Sequence, residues 1–287
     1  MEFNIEKANK LEKTINGEAI LEDYSTINLD EIVKSLPITW WIDEVDRKFG
    51  LLDFNKLVIV PWEAGSGKTT FTIQQAMANA RNGIKTAYLS LEMWAKGLVV
   101  ATAKKAAGIE MQTVVGSAIP VSDRQKEIFK ETVAEMTTLE NLDLIGYAES
   151  LTLKSFEKEL ERLADVYDLI FIDNLWFIGR TDTRKESELT PLITEICMNV
   201  RKNFKVTVIA LTHMTKGSEK QEWPRGRSAI RGSWKVIDDA DKIVQVFREW
   251  NSTSIILQKD RDNGLNATVP LVFSAWRFSG DCFSLLD

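Results

Sequence analysis

Hydrophobic residues in this chain fall into short, mostly apolar runs, separated by longer segments in which they recur every three or four positions. Apolar runs of this length, bounded by polar residues, are typical of buried strands. The runs occupy residues 57–60, 86–91, 142–145, 169–173 and 206–211. They predict a central sheet whose strands are buried on both faces.

The segments between these runs carry the helical pattern. Apolar positions at helical spacing predict helices at residues 69–81, 92–107, 122–136, 156–167 and 191–204. Asn82-Gly83 is a typical end for the first of these helices, and Ser122 is a typical N-cap for the third. Strands that alternate with helices indicate an α/β fold with a mostly parallel sheet covered by helices.

Both ends of the chain depart from this alternation. Residues 243–247, 254–257 and 269–273 resemble strands without helices between them, followed by a hairpin around Gly280, and predict antiparallel strands at one edge. Near the other end, Asn28 is placed to cap a short helix that ends near Pro37.

These end segments suggest a division into an N-terminal helical arm, residues 1–37, and one large domain, residues 38–287. The arm either folds onto its own domain or docks on a neighbouring subunit. Both possibilities are compatible with its scattered apolar positions.

Composition narrows the class of protein. The 287 residues are 44% hydrophobic, which is enough for one sizeable core, and they contain no apolar run of the ~18 residues that span a membrane. The N-terminus lacks the order of a signal peptide, so we expect a cytoplasmic protein with no membrane partner. Two cysteines and one histidine make a structural zinc implausible. A net charge of −6 means that any nucleic-acid contact must come from a local basic patch.

A glycine-rich loop follows the first predicted strand of the sheet. The sequence there is Trp62-Glu63-Ala64-Gly65-Ser66-Gly67-Lys68-Thr69-Thr70. It matches the phosphate-loop pattern G-x-x-x-x-G-K-[ST], except that Trp62 stands where the first glycine is expected. A strand before the loop and a helix after it make a chance surface turn a poor explanation. We therefore expect residues 64–70 (Ala64, Gly65, Ser66, Gly67, Lys68, Thr69 and Thr70) to bind ATP, with Thr69 on Mg²⁺.

Three further residues follow predicted strands, at the edge where parallel sheets bind ligands. Asp173 ends a buried strand, where phosphate-loop hydrolases place the carboxylate that organises Mg²⁺. Glu92 could orient or deprotonate the attacking water, or could simply favour the start of a helix. His213 could donate to the γ-phosphate and sense it, or could be a packing residue.

Two basic segments complete the candidate chemistry. Residues 216–235 carry a net charge of +4, with glycines and two tryptophans, which suits the backbone of a single-stranded nucleic acid. A solvated surface loop is the alternative. The candidate nucleic-acid-binding residues are Lys216, Lys220, Arg225, Arg227 and Arg231. Lys259 and Arg261 follow a later strand and are either inert or suited to act on a neighbour's nucleotide.

The order of these motifs resembles the RecA-type motor domain of DnaB-like replicative helicases. The resemblance spans residues 38–280 and rests on Tyr-Leu-Ser-Leu-Glu-Met at 88–93, Phe-Ile-Asp-Asn-Leu at 171–175, Arg-Gly-Ser at 231–233 with Asp-Ala-Asp at 239–241, and Lys-Asp-Arg-Asp-Asn-Gly at 259–264. His213 is more similar to the phage helicase–primases and the mitochondrial Twinkle helicase than to bacterial DnaB proteins. The small size and this histidine suggest a phage or mobile-element origin.

The resemblance implies a homo-oligomer, commonly a hexameric ring, which encircles one DNA strand and binds ATP and Mg²⁺ between subunits during replication. Lys68 and Thr69 would hold the phosphates and the metal, Asp173 would organise the metal, Glu92 would activate water and His213 would sense the γ-phosphate. Lys259 and Arg261 would reach the nucleotide of the next subunit. Primase or other replisome proteins would be further partners.

Two other functions stay open at the level of sequence. A RecA-like recombinase would use the same core to form filaments on DNA. An ATP-binding regulator or helicase-loading partner would use the nucleotide only to switch conformation.

Overall fold

A computed structural model describes residues 10–15, 18–23, 37–62, 67–109, 121–147, 149–214, 230, 233–249, 252–274 and 277–279. The chain divides into two compact units, Met1–Leu36 and Pro37–Asp287. In the first unit, β1 (Lys10–Ile15) pairs antiparallel with β2 (Glu18–Asp23). The sequence pattern did not predict this hairpin, and the helix expected after Asn28 lies outside the described residues.

The second unit alternates strands with helices, as predicted. Its strands are β3 (Leu57–Trp62), β4 (Thr86–Ser90), β5 (Leu142–Gly146), β6 (Leu169–Asp173), β7 (Thr207–His213), β8 (Lys242–Glu249), β9 (Ser252–Asp260), β10 (Ala267–Ser274) and β11 (Arg277–Ser279). Its α-helices are α1 (Asp43–Phe49), α2 (Lys68–Arg81), α3 (Ala95–Ala106), α4 (Asp123–Thr138), α5 (Leu153–Ala164), α6 (Glu186–Phe204) and α7 (Ser233–Asp239). A 3₁₀ turn, Leu175–Phe177, follows β6.

These strands form one sheet in the order β11-β10-β9-β8-β3-β7-β6-β4-β5. Every pairing from β8 to β5 is parallel, whereas β9, β10 and β11 are joined by antiparallel pairings. The predicted α/β fold with antiparallel strands at one edge is therefore confirmed. Because parallel strands share a direction, β3, β4, β6 and β7 all end at the same edge of the sheet, called here the carboxyl edge.

Apolar residues pack on both faces of the sheet, as the unbroken runs predict. In β3, Val58 and Val60 join one buried cluster, while Leu57 and Ile59 join the other. Alternate residues of a strand point to opposite faces, so a strand between two layers of helices must be apolar throughout. Packing in the two cores holds in place the strand ends that carry the candidate site.

Several boundaries differ from the sequence prediction. Helix α6 begins at Glu186 rather than at 191 and contains Pro191. The missing N–H of this proline removes one helical hydrogen bond, but Leu189 and Thr190 are buried, and their packing holds the first turn together. Helix α3 begins at Ala95, after a bend that leaves Glu92 outside the helix.

Strands β10 and β11 form an antiparallel pair with Ser274 opposite Arg277. The hairpin predicted around Gly280 lies outside the described residues. In the part of the chain that the structure describes, no helix is both long and apolar enough to cross a membrane.

Candidate nucleotide-binding site

The phosphate-loop lysine and hydroxyl stand at the first turn of α2, directly beyond the carboxyl end of β3. Gly67 precedes the helix with φ 94°, a left-handed conformation that favours glycine and reverses the chain into the helix. Lys68, Thr69 and Thr70 follow as the first helical residues. The predicted phosphate-binding residues Ala64, Gly65 and Ser66 lie outside the described part of the chain.

Lys68, Thr69, Glu92 and Asp173 form a cluster at the carboxyl edge. Asp173, at the end of β6, is its most buried acid. Its Oδ2 accepts hydrogen bonds from Thr69 Oγ1 at 2.7 Å and from the Tyr88 hydroxyl at 2.9 Å. Burial raises the pKa of the Asp173 carboxyl, and Lys68, Thr69 and Tyr88 counteract this rise only in part. Oδ1 is buried and has no hydrogen-bond partner among the described residues, although Lys68 Nζ lies 4.0 Å away. One carboxylate oxygen is therefore committed to holding Thr69, and the other is not.

Lys68 lies between two carboxylates. Its Nζ is 3.1 Å from Glu92 Oε2 and 4.0 Å from Asp173 Oδ1. Asn174, which is fully buried, donates from Nδ2 to the same Glu92 oxygen at 3.1 Å. The Glu92 side chain is 46% exposed, so it remains open to solvent while one oxygen is held by two donors. This geometry is suitable for a carboxylate that must accept a proton from water.

Tyr88 and Thr72 support the cluster, and the sequence did not identify either of them. The Tyr88 hydroxyl lies 2.9 Å from Thr72 Oγ1, which also donates to the Lys68 carbonyl at 3.1 Å. Burial raises the pKa of the Tyr88 phenol well above its usual value, with a further contribution from Asp173. The phenol therefore stays protonated and acts as a permanent donor to Asp173. The only signal in the sequence was the hydroxyl group of Tyr88, which stands between the apolar residues Ala87 and Leu89 of β4.

The oxygen atoms in this cluster suit Mg²⁺, which also binds water and phosphate oxygens, better than a metal ion bound only by protein side chains. Among the described residues, no group of three or more histidines, cysteines or acids is arranged to bind a metal ion. Mg²⁺ is commonly bound by one or two protein oxygens together with water and substrate phosphates. The Thr69 hydroxyl and the uncommitted Oδ1 of Asp173 supply these two oxygens at the first turn of α2.

His213 is the last residue of β7 and lies beside the end of β3, where the phosphate loop begins, because Trp62 and His213 are register partners. Its ring lies edge-on to Trp176, with the centroids 6.4 Å apart. The structure thus brings His213 to the same edge as Lys68, Glu92 and Asp173. Its role as a γ-phosphate sensor remains a prediction.

Trp62, the exception in the phosphate-loop motif, is a core residue. Its side chain is fully buried, and its ring lies 6.0 Å from that of Phe71 on α2. Its carbonyl accepts a hydrogen bond from the Met214 amide at 3.1 Å. The indole therefore joins the end of β3 to the helix that carries Lys68.

Lys259 and Arg261 lie at the opposite edge of the sheet from Lys68. Lys259 is the register partner of Ile243 in β8, which pairs with Ile59 near the start of β3. The Lys259 ammonium donates to the carbonyls of Ile237 and Asp238, and Arg261 donates to the Asp238 carbonyl and to Asp241 Oδ1. Since a strand rises about 3.3 Å per residue, the length of β3 separates Lys259 and Arg261 from the phosphate loop of their own chain.

The predicted nucleic-acid-binding residues Lys216, Lys220, Arg225, Arg227 and Arg231 all lie outside the described residues. Their role remains a prediction from the sequence.

Comparison with known proteins gives one family and one fold. The family model described as "DnaB-like helicase C terminal domain" matches residues 38–279. One solved ATPase domain is similar with a TM-score of 0.73 and 20% identity, covering 87% of this chain and 94% of that one. A DnaB-like replicative helicase, solved in a study of its interactions with primase, is similar with a TM-score of 0.75 and 20% identity. The match covers 90% of this chain and 68% of that one.

A KaiC-like protein, PH0186 from Pyrococcus horikoshii, is more distant. Its TM-score is 0.59 at 15% identity, covering 85% of this chain and 98% of that one. Identities this low show a shared fold and no more. No curated protein matches the chain.

Proposed function

Because the chain belongs to the family of DnaB-like helicase C-terminal domains, we propose that it is an ATP-driven motor that translocates on single-stranded DNA as a ring of identical subunits. The observation that carries the proposal is the cluster of Lys68, Thr69, Glu92 and Asp173 at the carboxyl edge. A phosphate-binding cation, two Mg²⁺ ligands and a candidate base stand within one constellation. These groups would provide phosphate binding, metal binding and a base for phosphoryl transfer to water.

The contacts of Lys68 suggest how binding prepares hydrolysis. Its ammonium is now 3.1 Å from Glu92. A nucleotide phosphate carries more negative charge than one carboxylate and attracts this ammonium more strongly. Glu92 then keeps its bond from Asn174 and becomes available to accept a proton from water. Mg²⁺, when bound, would neutralise part of the phosphate charge, and Thr69 and Asp173 would be its protein ligands.

The missing element is a cation on the far side of the γ-phosphate. Within one subunit, Lys259 and Arg261 are held at the opposite edge of the sheet. In a ring, that edge of one subunit can face the carboxyl edge of the next. An arginine supplied in trans contributes about 10³–10⁵ in rate, so each subunit alone would hydrolyse ATP very slowly.

The test is the ATPase and unwinding activity of Lys68→Ala. Removing one preorganised charge from a transition state costs about 10²–10³ in rate, so DNA-stimulated hydrolysis and unwinding of a forked duplex should both fall to background. Lys126→Ala is the matched control, because Lys126 is an exposed lysine on α4. Forked-duplex unwinding that persists in Lys68→Ala would contradict the proposal.

The shape of the assembly separates this motor from the recombinase alternative. Light scattering and negative-stain microscopy with ATP, Mg²⁺ and single-stranded DNA should reveal closed rings. Helical filaments on the DNA would favour a recombinase. Tight ATP binding without turnover, even with DNA, would favour a regulator or loading partner.

A further inference from the structure

A cavity lies beyond the carboxyl end of β6, between the 3₁₀ turn and the first turns of α6. Its volume is about 180 Å³. Lys68, Thr69, Glu92 and Asp173 do not line it, so the proposed hydrolysis leaves it without a role. We call it the Trp176 cavity, after the aromatic residue in its wall.

The cavity has an apolar floor and a cationic, aromatic rim. Leu175, Ile178 and Leu189 form the floor and are buried. At the rim, Trp176 is 37% exposed. Ligand sites combine these properties: an apolar interior and a few polar groups that fix orientation.

The charge at the rim favours an anion. Arg184 is paired with Asp182 at 2.6 Å, so these two charges compensate each other. Arg180 also lines the cavity, and its guanidinium lies 5.0 Å from the centre of the Phe177 ring. Arg180 forms no ion pair with any other described residue, so among the described side chains its positive charge beside the aromatic wall is not compensated.

Shape and charge together select the ligand. Cavities for drug-sized molecules are about 300–1,000 Å³, so this one is suited to a single planar group. An exposed indole provides a stacking surface, and an arginine at the rim provides a phosphate contact. One base of a nucleic acid, with its flanking phosphate, meets both requirements.

The cavity also adjoins the strand that leads into the predicted DNA-facing segment. Strands β6 and β7 are neighbours, and Ile172 is the register partner of Ala210. The predicted DNA-facing segment begins at Lys216, three residues after β7 ends at His213. Trp176 contacts the His213 ring edge-on, so the cavity wall and the end of β7 are adjacent.

We propose that the Trp176 cavity binds one base of the single-stranded DNA, which stacks on Trp176 while Arg180 contacts the flanking phosphate. This inference rests on the proposed function, because it assumes that the chain binds DNA. A base stacked on Trp176 would bear on the residue that contacts His213, which is the predicted sensor of the γ-phosphate. The cavity would then give each subunit a direct physical link between its DNA and its nucleotide.

The test compares DNA with and without bases. Fluorescence anisotropy of the full chain, with Mg²⁺ and ATPγS, would measure affinity for labelled oligothymidylate and for an abasic oligonucleotide with the same number of phosphates. Stacking of one base is worth about 5–150-fold in affinity, so wild type should prefer the base-bearing strand by at least about fivefold. In Trp176→Ala the preference should fall by about that factor, with abasic binding unchanged.

Two further variants make the result specific. Trp176→Phe keeps an aromatic face and should retain part of the preference, which also excludes misfolding as the cause. Trp94→Ala is the matched control, since Trp94 is 65% exposed, precedes α3 and does not line the cavity. Its preference should equal that of wild type.

Equal binding of both oligonucleotides by wild type, or full base preference in Trp176→Ala, would overturn the base site and leave the motor proposal standing. Failure to bind either oligonucleotide, together with ATP hydrolysis that DNA does not stimulate, would overturn both.

Discussion

At the scale of single residues, Trp62 shows how a departure from a motif can be explained by packing. The phosphate-loop pattern has glycine here because the chain must turn, yet β3 continues through Trp62 as a regular strand. The indole fills the space between the strand end and Phe71 on α2. Restoring the glycine would improve agreement with the motif and remove a fully buried aromatic side chain from the core.

We therefore predict that Trp62→Gly destabilises the protein. Truncating a buried aromatic side chain costs about 3–5 kcal/mol, so the urea midpoint should fall substantially. Nucleotide affinity should also decrease, because the start of α2 loses its contact. Trp94→Gly is the matched control, since Trp94 is 65% exposed and takes the N-cap position of α3, where glycine is tolerated. Equal stability of Trp62→Gly and wild type would show that the indole is incidental.

Asp173 is an example of function opposed to stability. Burial raises its folded-state pKa above the unfolded value, so the ionised carboxylate that the proposed Mg²⁺ site would require opposes folding at neutral pH. The contribution to stability is complete below the unfolded pKa and is lost as the pH rises through the folded pKa.

Asp173→Asn, which is neutral at every pH, should abolish ATP hydrolysis and raise the melting temperature of the nucleotide-free protein at pH 7. The gain should shrink as the pH falls, because the wild-type carboxyl then becomes neutral as well. Thermal unfolding at several pH values measures both effects. Asp53→Asn, at an exposed position in the loop before β3, should show neither. A melting temperature that falls at pH 7 would show that the charge of Asp173 stabilises the fold.

The sequence predicted some residues of the site and could not predict others. Lys68, Thr69, Glu92 and Asp173 follow apolar strands, and parallel strands bring their ends to one edge, so their proximity follows from the pattern. The contact of Tyr88 with Asp173 depends on register: Ser90 lies opposite Asp173, and Tyr88 lies two residues before Ser90 on the same face of β4. The pattern of residues along the chain does not reveal which strands pair or in what register. The sequence also does not show whether a buried polar residue forms a hydrogen bond to a neighbouring side chain.

At the scale of elements, a charged network fixes the amino edge of the sheet. Asp241, just before β8, accepts from the Leu57 amide at 2.8 Å and pairs with Arg201 of α6 at 3.1 Å. Its other oxygen accepts from Arg261 at 2.9 Å. One buried carboxylate thus joins β3, α6 and the residue after β9.

Breaking this network should be costly. Arg201→Met leaves Asp241 buried with one cation fewer, and removing one partner of a buried pair costs about 3–5 kcal/mol. Urea unfolding should reveal the loss, whereas Arg124→Met on the exposed face of α4 should have a far smaller effect. An unchanged urea midpoint for Arg201→Met would mean that Arg261 and the Leu57 amide suffice to hold Asp241.

Element boundaries show the limit of pattern reading. Strands were predicted closely because both faces of the sheet are apolar. Helix α6 was predicted too short because Pro191 resembles a first residue, and only the burial of Leu189 shows that the helix starts earlier. The β1–β2 hairpin was missed because its alternation is mixed with charge.

At the scale of the whole molecule, the two halves of the proposed active site lie at opposite edges of one sheet. Lys68 and its partners stand at the carboxyl edge, and Arg261 is held at the amino edge by Asp241 and the end of α7. A rigid sheet cannot bring them together within one chain. The proposed hydrolysis then requires a second subunit, which would make assembly part of the chemistry.

Mixing two inactive variants tests this claim most directly. Lys68→Ala keeps Arg261 but lacks its own site, and Arg261→Gln keeps its site but lacks the residue that acts on its neighbour. Each variant alone should hydrolyse ATP at least about 10²-fold more slowly than wild type. Mixed in equal amounts, with assembly confirmed by light scattering, they should form interfaces that contain both intact residues. The account predicts ATP hydrolysis well above the sum of the separate rates. A mixture that assembles and hydrolyses no faster than that sum, or full activity in Arg261→Gln alone, would contradict it.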